Sequence, residues 1–157
     1  MAKINELYDQ DFFLWTQEQA AALRRAKGSN LPLDWENLAE EIESLGKSDR
    51  REITSQLRRI LRHLFKLEAS PAVQPRAGWR STIVDARSEI EGVLRDSPSL
   101  RRQVDYLVKD QLKAAAELAS SDRGGHGEPT DAVRERLQKG GFTADEVLGD
   151  WFPEPRS

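Results

Sequence analysis

A chain of 157 residues falls in the range of one domain, long enough to bury about two-thirds of its unfolded surface. Its 38% hydrophobic and 32% charged residues exclude a disordered composition and suit thin-cored helical packing. A formal charge of -3 gives no global attraction to nucleic acid or an anionic membrane, and the absence of cysteine excludes disulfides, a thiolate nucleophile and thiolate metal sites.

That cysteine-free composition makes an intracellular, non-redox setting the default. The opening MAKINELYDQDFF carries acidic residues where a signal peptide needs an apolar run, and no stretch approaches about 18 apolar residues. The expectation is a soluble, cytoplasmic protein with no membrane partner.

Asp9 reads as an N-cap opening a helix that runs to about Lys27, with Phe12, Trp15, Ala22, Leu23 and Ala26 as its apolar face and Gln19 in the same stripe. Asp34 caps a second helix carrying Trp35, Leu38, Ile42 and Leu45, and Gly46 is a natural C-terminal stop. Asp49 with Glu52 has the pattern of a capping box for a third helix, whose core face is Ile53, Leu57, Ile60, Leu61, Leu64 and Leu67. The short link predicts that these two helices are antiparallel neighbours.

After a proline-bearing loop over 69–78, helical periodicity resumes from about Trp79 to Arg95 with Ile83, Ala86, Ile90 and Leu94. Ser97 and Pro98 supply an N-cap and N1 proline for a fifth helix bearing Leu100, Val104, Leu107, Leu112, Ala115 and Leu118. The run SSDRGGHGEPT reads as flexible. Beyond it come a short helix near Thr130 to Lys139 and a capped turn from Thr143 to Leu148. The fold class expected is therefore all-α: a bundle of about five main helices in one domain, 1–157, with its core over about 8–120 and a short helical tail over 121–157 packing on it.

The blocks YDQDFFLWTQEQAAALR, LDWENLAEEIESLGKSDRRE, LRHLFK, WRSTIVDARSEI and LRDSPSL, in that order and spacing, resemble the bacterial and cyanobacterial domain-of-unknown-function family numbered twenty-nine. The likeness spans roughly Tyr8 to Leu118. It implies an all-helical fold and no established biochemical activity, so it informs the fold and not the function.

Arg87 is the anomaly in the pattern. It lies four residues after Ile83 and three before Ile90, inside an apolar stripe where a guanidinium keeps its charge and must find a partner. Arg80 falls near the same azimuth. Asn37 and Glu41 edge the Leu38, Ile42, Leu45 stripe, and His63 and Gln56 edge that of the following helix, whereas Glu40 and Glu43 point outward. The candidate ligand-binding cluster is thus Asn37, Glu41, His63, Arg80 and Arg87, with Gln19 as a possible addition. Its plainer reading is an ion pair of Arg87 with Glu41, seconded by Glu91, that fixes helix register.

One histidine and one carboxylate without a nucleophile or metal motif name no reaction. No catalytic residue, metal ligand or cofactor is assigned. The leading expectation is a non-enzymatic interaction or regulatory module, with a protein partner or self-association, and the alternative is a small-anion or ligand binder or enzyme built on the cluster. Nucleic-acid binding is a third option. Five acids and no base lie between Asp34 and Gly46, while seven bases against two acids lie from Lys47 to Lys66. That basic helix, with Arg76, Arg80, Arg101 and Arg102, could form a stripe for phosphates. The more ordinary account is a solvated face partly neutralised by its neighbour.

A helix-turn-helix fits poorly, because Glu52 would fall where an apolar core residue is needed. Neither His63 nor His126 follows a glutamate at the spacing of a carboxylate-bridged metal bundle, and His126 in GGHG reads as a mobile surface residue. Trp15, Trp35 and Trp79 are expected in apolar faces, and Trp151 is the aromatic suited to a protein contact.

Overall fold

The computed structural model describes residues 4–71, 73–125 and 127–155, so the expectation for His126 lies outside the described residues. Among them are seven α-helices and no strand: α1 (Ile4–Gln10), α2 (Phe12–Arg25), α3 (Trp35–Ala69), α4 (Arg76–Asp96), α5 (Val104–Gly125), α6 (Asp131–Gln138) and α7 (Ala144–Leu148), with a 3-10 turn over Pro98–Gln103. The all-α class follows. Two compact units divide the chain, Met1–Ile53 with Glu91–Arg102, and Thr54–Ile90 with Gln103–Ser157.

The largest departure from the sequence reading is α3. Gly46 does not stop it, and the two antiparallel helices expected there are one helix of 35 residues, about 52 Å long at 1.5 Å per residue. A glycine stop needs the left-handed conformation, and Gly46 is not among the glycines with positive φ. It serves a close approach instead. A Cβ at Gly46 would lie 2.2 Å from Thr16 Oγ1 and 3.2 Å from Phe13 Cδ2, so the absent side chain is what lets α2 cross against α3. Asp49, freed from capping, accepts a hydrogen bond of 2.9 Å from the Ser97 hydroxyl.

In the first unit the cap of α2 is Asp11, not Asp9: its Oδ1 accepts from the Leu14 N–H at 3.0 Å. The same carboxylate accepts from the Ser99 N–H and hydroxyl, both at 2.8 Å. Buried Ser97 accepts from the Phe13 N–H at 3.0 Å. These polar ties accompany a small core of Leu7, Ala20, Ala39, Ile53, Leu94 and Leu100. Glu43, expected to point outward, is half-buried and pairs with Arg24 at 2.7 Å and Lys47 at 3.5 Å.

The second unit holds the larger apolar core, built from Leu57, Ile60, Leu61, Leu64 and Phe65 of α3, Ile83, Ala86 and Ile90 of α4, and Leu107, Ala115 and Ala119 of α5. Helix α5 continues to Gly125, through residues expected to be flexible. The reason is local: Asp122 is gripped by Arg62 at 2.8 and 2.6 Å and by Lys66 at 3.2 Å. Arg123, 3% exposed, donates to the Pro129 carbonyl at 3.0 Å and pairs with Glu128 at 2.7 Å.

Helix α6 closes on Gly140 and Gly141, both at positive φ, where Gly141 leaves room that a Cβ would take from Leu112 at 2.3 Å. Thr143 and Glu146 then form the reciprocal capping box that opens α7. Phe142 packs edge-on against Phe65, with 5.0 Å between centroids.

Candidate functional site

The sequence-derived cluster is distributed as follows. Asn37 and Glu41 belong to the first unit, and His63, Arg80 and Arg87 to the second. Asn37 is exposed and donates from its side chain to Asp34 at 2.7 Å, so it completes the start of α3. Glu41 is exposed on the same helix. His63 is half-buried, and its Nδ1 lies 2.8 Å from the Arg59 carbonyl, which can only accept. Nδ1 therefore carries the proton. Burial lowers the His63 pKa, leaving a neutral ring at pH 7.

Arg87 is buried, as its place in the stripe implies, and within its own unit its hydrogen-bond partners are main-chain carbonyls. Its Nε donates to the Val147 carbonyl at 2.8 Å, and its Nη2 donates to the Glu146 and Trp151 carbonyls at 3.0 and 2.7 Å. Glu91 pairs with Arg101 at 3.5 Å. The carbonyl end of α7 carries the negative pole of a helix dipole, which suits a cation that keeps its charge. Phe152 covers the guanidinium at 4.8 Å from its ring centroid, and exposed Arg80 meets the same ring at 5.2 Å. Arg87 is thus a latch for the C-terminal segment, in which Val147 and Pro153 are buried. Trp151, suited by sequence to a protein contact, tilts against Phe142 at 6.0 Å and stays 37% exposed.

The basic stripe is partly consumed by intramolecular contacts. Arg62 and Lys66 hold Asp122. Arg76 donates to the Leu67 and Ser70 carbonyls at 2.6 and 3.1 Å. Arg136, outside the stripe, forks onto Glu68 and lies over Phe142.

Two surface features emerge instead. On the first half of α3, Leu38 is 39% and Leu45 51% exposed, although their spacing reads as a core stripe. In the second unit, Lys66, Pro75, Trp79, Asp122, Arg123 and Glu128 line a cleft of about 330 Å³. The Lys66 ammonium sits 4.9 Å from the Trp79 ring centroid. No group of three or more His, Asp or Glu side chains among the described residues could hold a metal ion.

Over residues 7–150 the chain matches the family model described as Domain of unknown function DUF29. The chain belongs to the DUF29 family. This DUF29 chain is also similar to an alpha-helical protein of unknown function from Rhodospirillum rubrum, known from a crystal structure, with 27% identity and a TM-score of 0.69. That likeness covers 93% of this chain and 98% of the other. No curated protein matches. No helix among the described residues of the DUF29 chain is long and apolar enough to cross a membrane.

Sequence reasoning missed the cleft of this DUF29 protein. The signal was present in Arg123, four residues after Ala119 and buried in the α5 stripe, by the same logic that picked out Arg87. The Arg62 and Lys66 hydrogen bonds hold the Asp122 carboxyl down at about 2. A carboxylate depressed in the fold stabilises it above the unfolded value near 3.9 and loses that contribution as pH falls through about 2. With the pair partly open to solvent, the contribution is about 1 kcal/mol. Acid titration followed by circular dichroism should therefore show a shallower loss of stability between about pH 4 and pH 2 in Asp122→Asn than in the parent chain. Identical slopes would show that the Arg62 pair carries no stability.

Proposed function

We propose that the protein is a non-enzymatic interaction module whose docking face is the first half of α3, and that its partner presents a basic amphipathic helix. One observation carries this reading: Leu38 and Leu45, one heptad apart on one edge of a helix, stand open to solvent with half-buried Ile42 between them. Leu31 and Leu33, in the segment leading into α3, are 61% and 48% exposed. Apolar side chains recurring at this spacing in the open are how one helix receives another.

Charge selects the partner. Exposed Glu41 borders the leucines, with no basic residue between Asp34 and Gly46. A helix with lysine or arginine beside its own apolar stripe matches that rim and an acidic one is repelled. Asn37 and Glu41 thus remain site residues, at the edge of the face. Proton-transfer chemistry at the cleft finds less support, because an Asp122 carboxyl that stays ionised down to about pH 2 is a weak proton acceptor near neutrality. A cytoplasmic setting belongs to this reading.

Fluorescence anisotropy with two labelled helical peptides tests it, one of leucine and lysine and one of leucine and glutamate in the same pattern. The lysine peptide should bind, and Leu38→Glu with Leu45→Glu should weaken it by about tenfold or more. Equal binding of both peptides, or no loss in the double variant, refutes the proposal. So does a concentration-dependent dimer in sedimentation that the double variant abolishes, since the face would then serve a second copy.

A further inference from the structure

We infer that the cleft between Lys66, Trp79 and Asp122 is a binding site for a small, flat monoanion of the aryl carboxylate class. The inference is independent of the α3 docking face. It begins with charge matching at the cleft, whose lining sets Lys66 and Arg123 against Asp122 and Glu128, with Arg62 outside the lining as a further cation on Asp122. Arg62 holds both Asp122 oxygens, at 2.8 and 2.6 Å, which is the fork geometry that neutralises a carboxylate without further help. Glu128 is matched by Arg123 at 2.7 Å. Lys66 is the third cation against two carboxylates, placed 3.2 Å from an oxygen of Asp122 that Arg62 already holds.

The surplus charge is therefore on the Lys66 ammonium, and its surroundings define the ligand. Its side chain is only 14% exposed, and a partly desolvated ammonium attracts an anion more strongly than one in bulk water. The same nitrogen stands 4.9 Å from the Trp79 ring centroid, so a single positive charge borders a flat aromatic wall, and Pro75 adds a second apolar surface. A ligand ring can lie along Trp79 and Pro75 while its carboxylate accepts from the ammonium.

The complementary classes fit less well. A cationic ligand seeking the Trp79 face meets the ammonium already beside it. A free polyphosphate brings several negative charges to a cleft with one positive charge in surplus and gains nothing from the aromatic wall. The cleft volume of about 330 Å³ lies at the lower end for small-molecule sites, suited to one or two fused rings.

Calorimetry on the full chain with 2-naphthoate, 2-naphthylmethylamine and inorganic phosphate provides the test. Naphthoate should bind at least about tenfold more tightly than the amine or phosphate, and Lys66→Met should cost about tenfold while Lys66→Arg largely restores binding. Naphthoate should also move the Trp79 indole N–H resonance, assigned by its absence in Trp79→Phe. That second readout uses the parent chain, so it stands even if Lys66→Met fails to fold. The amine binding as tightly as naphthoate, a folded Lys66→Met variant of unchanged affinity, no detectable naphthoate binding or an unmoved Trp79 resonance would each overturn the assignment.

Discussion

Arg87→Met should lower the unfolding free energy by about 2 to 4 kcal/mol, a loss comparable to truncating a buried core side chain. The methionine fills much of the volume and removes the buried charge, so the loss reports what the guanidinium does for others. Three carbonyls, of Glu146, Val147 and Trp151, lose their donor together, the bond to Val147 buried and the other two part-buried; an acceptor left without a donor costs about 1 to 3 kcal/mol where it is buried and less where water reaches it. Phe152 loses the cation beneath its ring. Arg87→Lys should recover part of the loss, because an ammonium keeps the charge but cannot reach three acceptors from a planar fork. Urea denaturation measures the difference, and limited proteolysis locates it: cleavage within 143–155 should accelerate in the methionine variant. Unchanged stability with unchanged proteolysis would show that the latch is incidental.

Gly46→Ala is the second large effect, and it would be read in the opposite direction from a helix-stop glycine. On an exposed helix, glycine to alanine stabilises by about 1 kcal/mol. Here the new Cβ would stand 2.2 Å from Thr16 Oγ1, a separation that forces α2 and α3 apart. The expected result is destabilisation of about 1 to 3 kcal/mol. Thr16→Ala removes the offending hydroxyl, whose hydrogen bond goes to the Phe13 carbonyl in its own helix at 2.6 Å. The contacts that remain to Gly46 are then 3.2 and 3.3 Å. The double variant should therefore recover most of the loss, a coupling of about 1 kcal/mol or more that a thermodynamic cycle resolves. Additive effects would mean that the two helices do not meet at Gly46.

These two positions show how far the pattern of the chain reached. Helical periodicity, together with the absence of strand alternation, placed α2, α4 and the second half of α3 within a few residues, because apolar spacing reports one helix face directly. Arg87 was recognisable as inward-facing for the same reason. What periodicity does not encode is the other side of a contact. A carbonyl is common to every residue, so nothing in the side-chain pattern announces that Glu146, Val147 and Trp151 receive Arg87, and a carboxylate such as Glu41 looked the better partner.

Gly46 misled for a related reason. The same residue serves a helix end and a close crossing, and the difference depends on Thr16, thirty positions earlier. Leu38 and Leu45 carried the spacing of a core stripe yet stand exposed, since spacing alone does not distinguish a face covered by its own chain from one left open. In the cleft, Lys66 and Asp122 were separately visible as surface-type residues, and only the path of α5 beside α3 brings them together.

The Arg87 latch has a further consequence for how freely the C-terminal segment can vary. Because the guanidinium recognises main-chain oxygens, the identities of residues 146, 147 and 151 are not what it reads. Substitutions there leave the three acceptors in place as long as the backbone ends its helical turn at the same position, whereas inserting or deleting one residue between Thr143 and Glu146 shifts their phase against the guanidinium. The latch adds a constraint of length and phase to those that the capping box and the buried side chains already place on the segment.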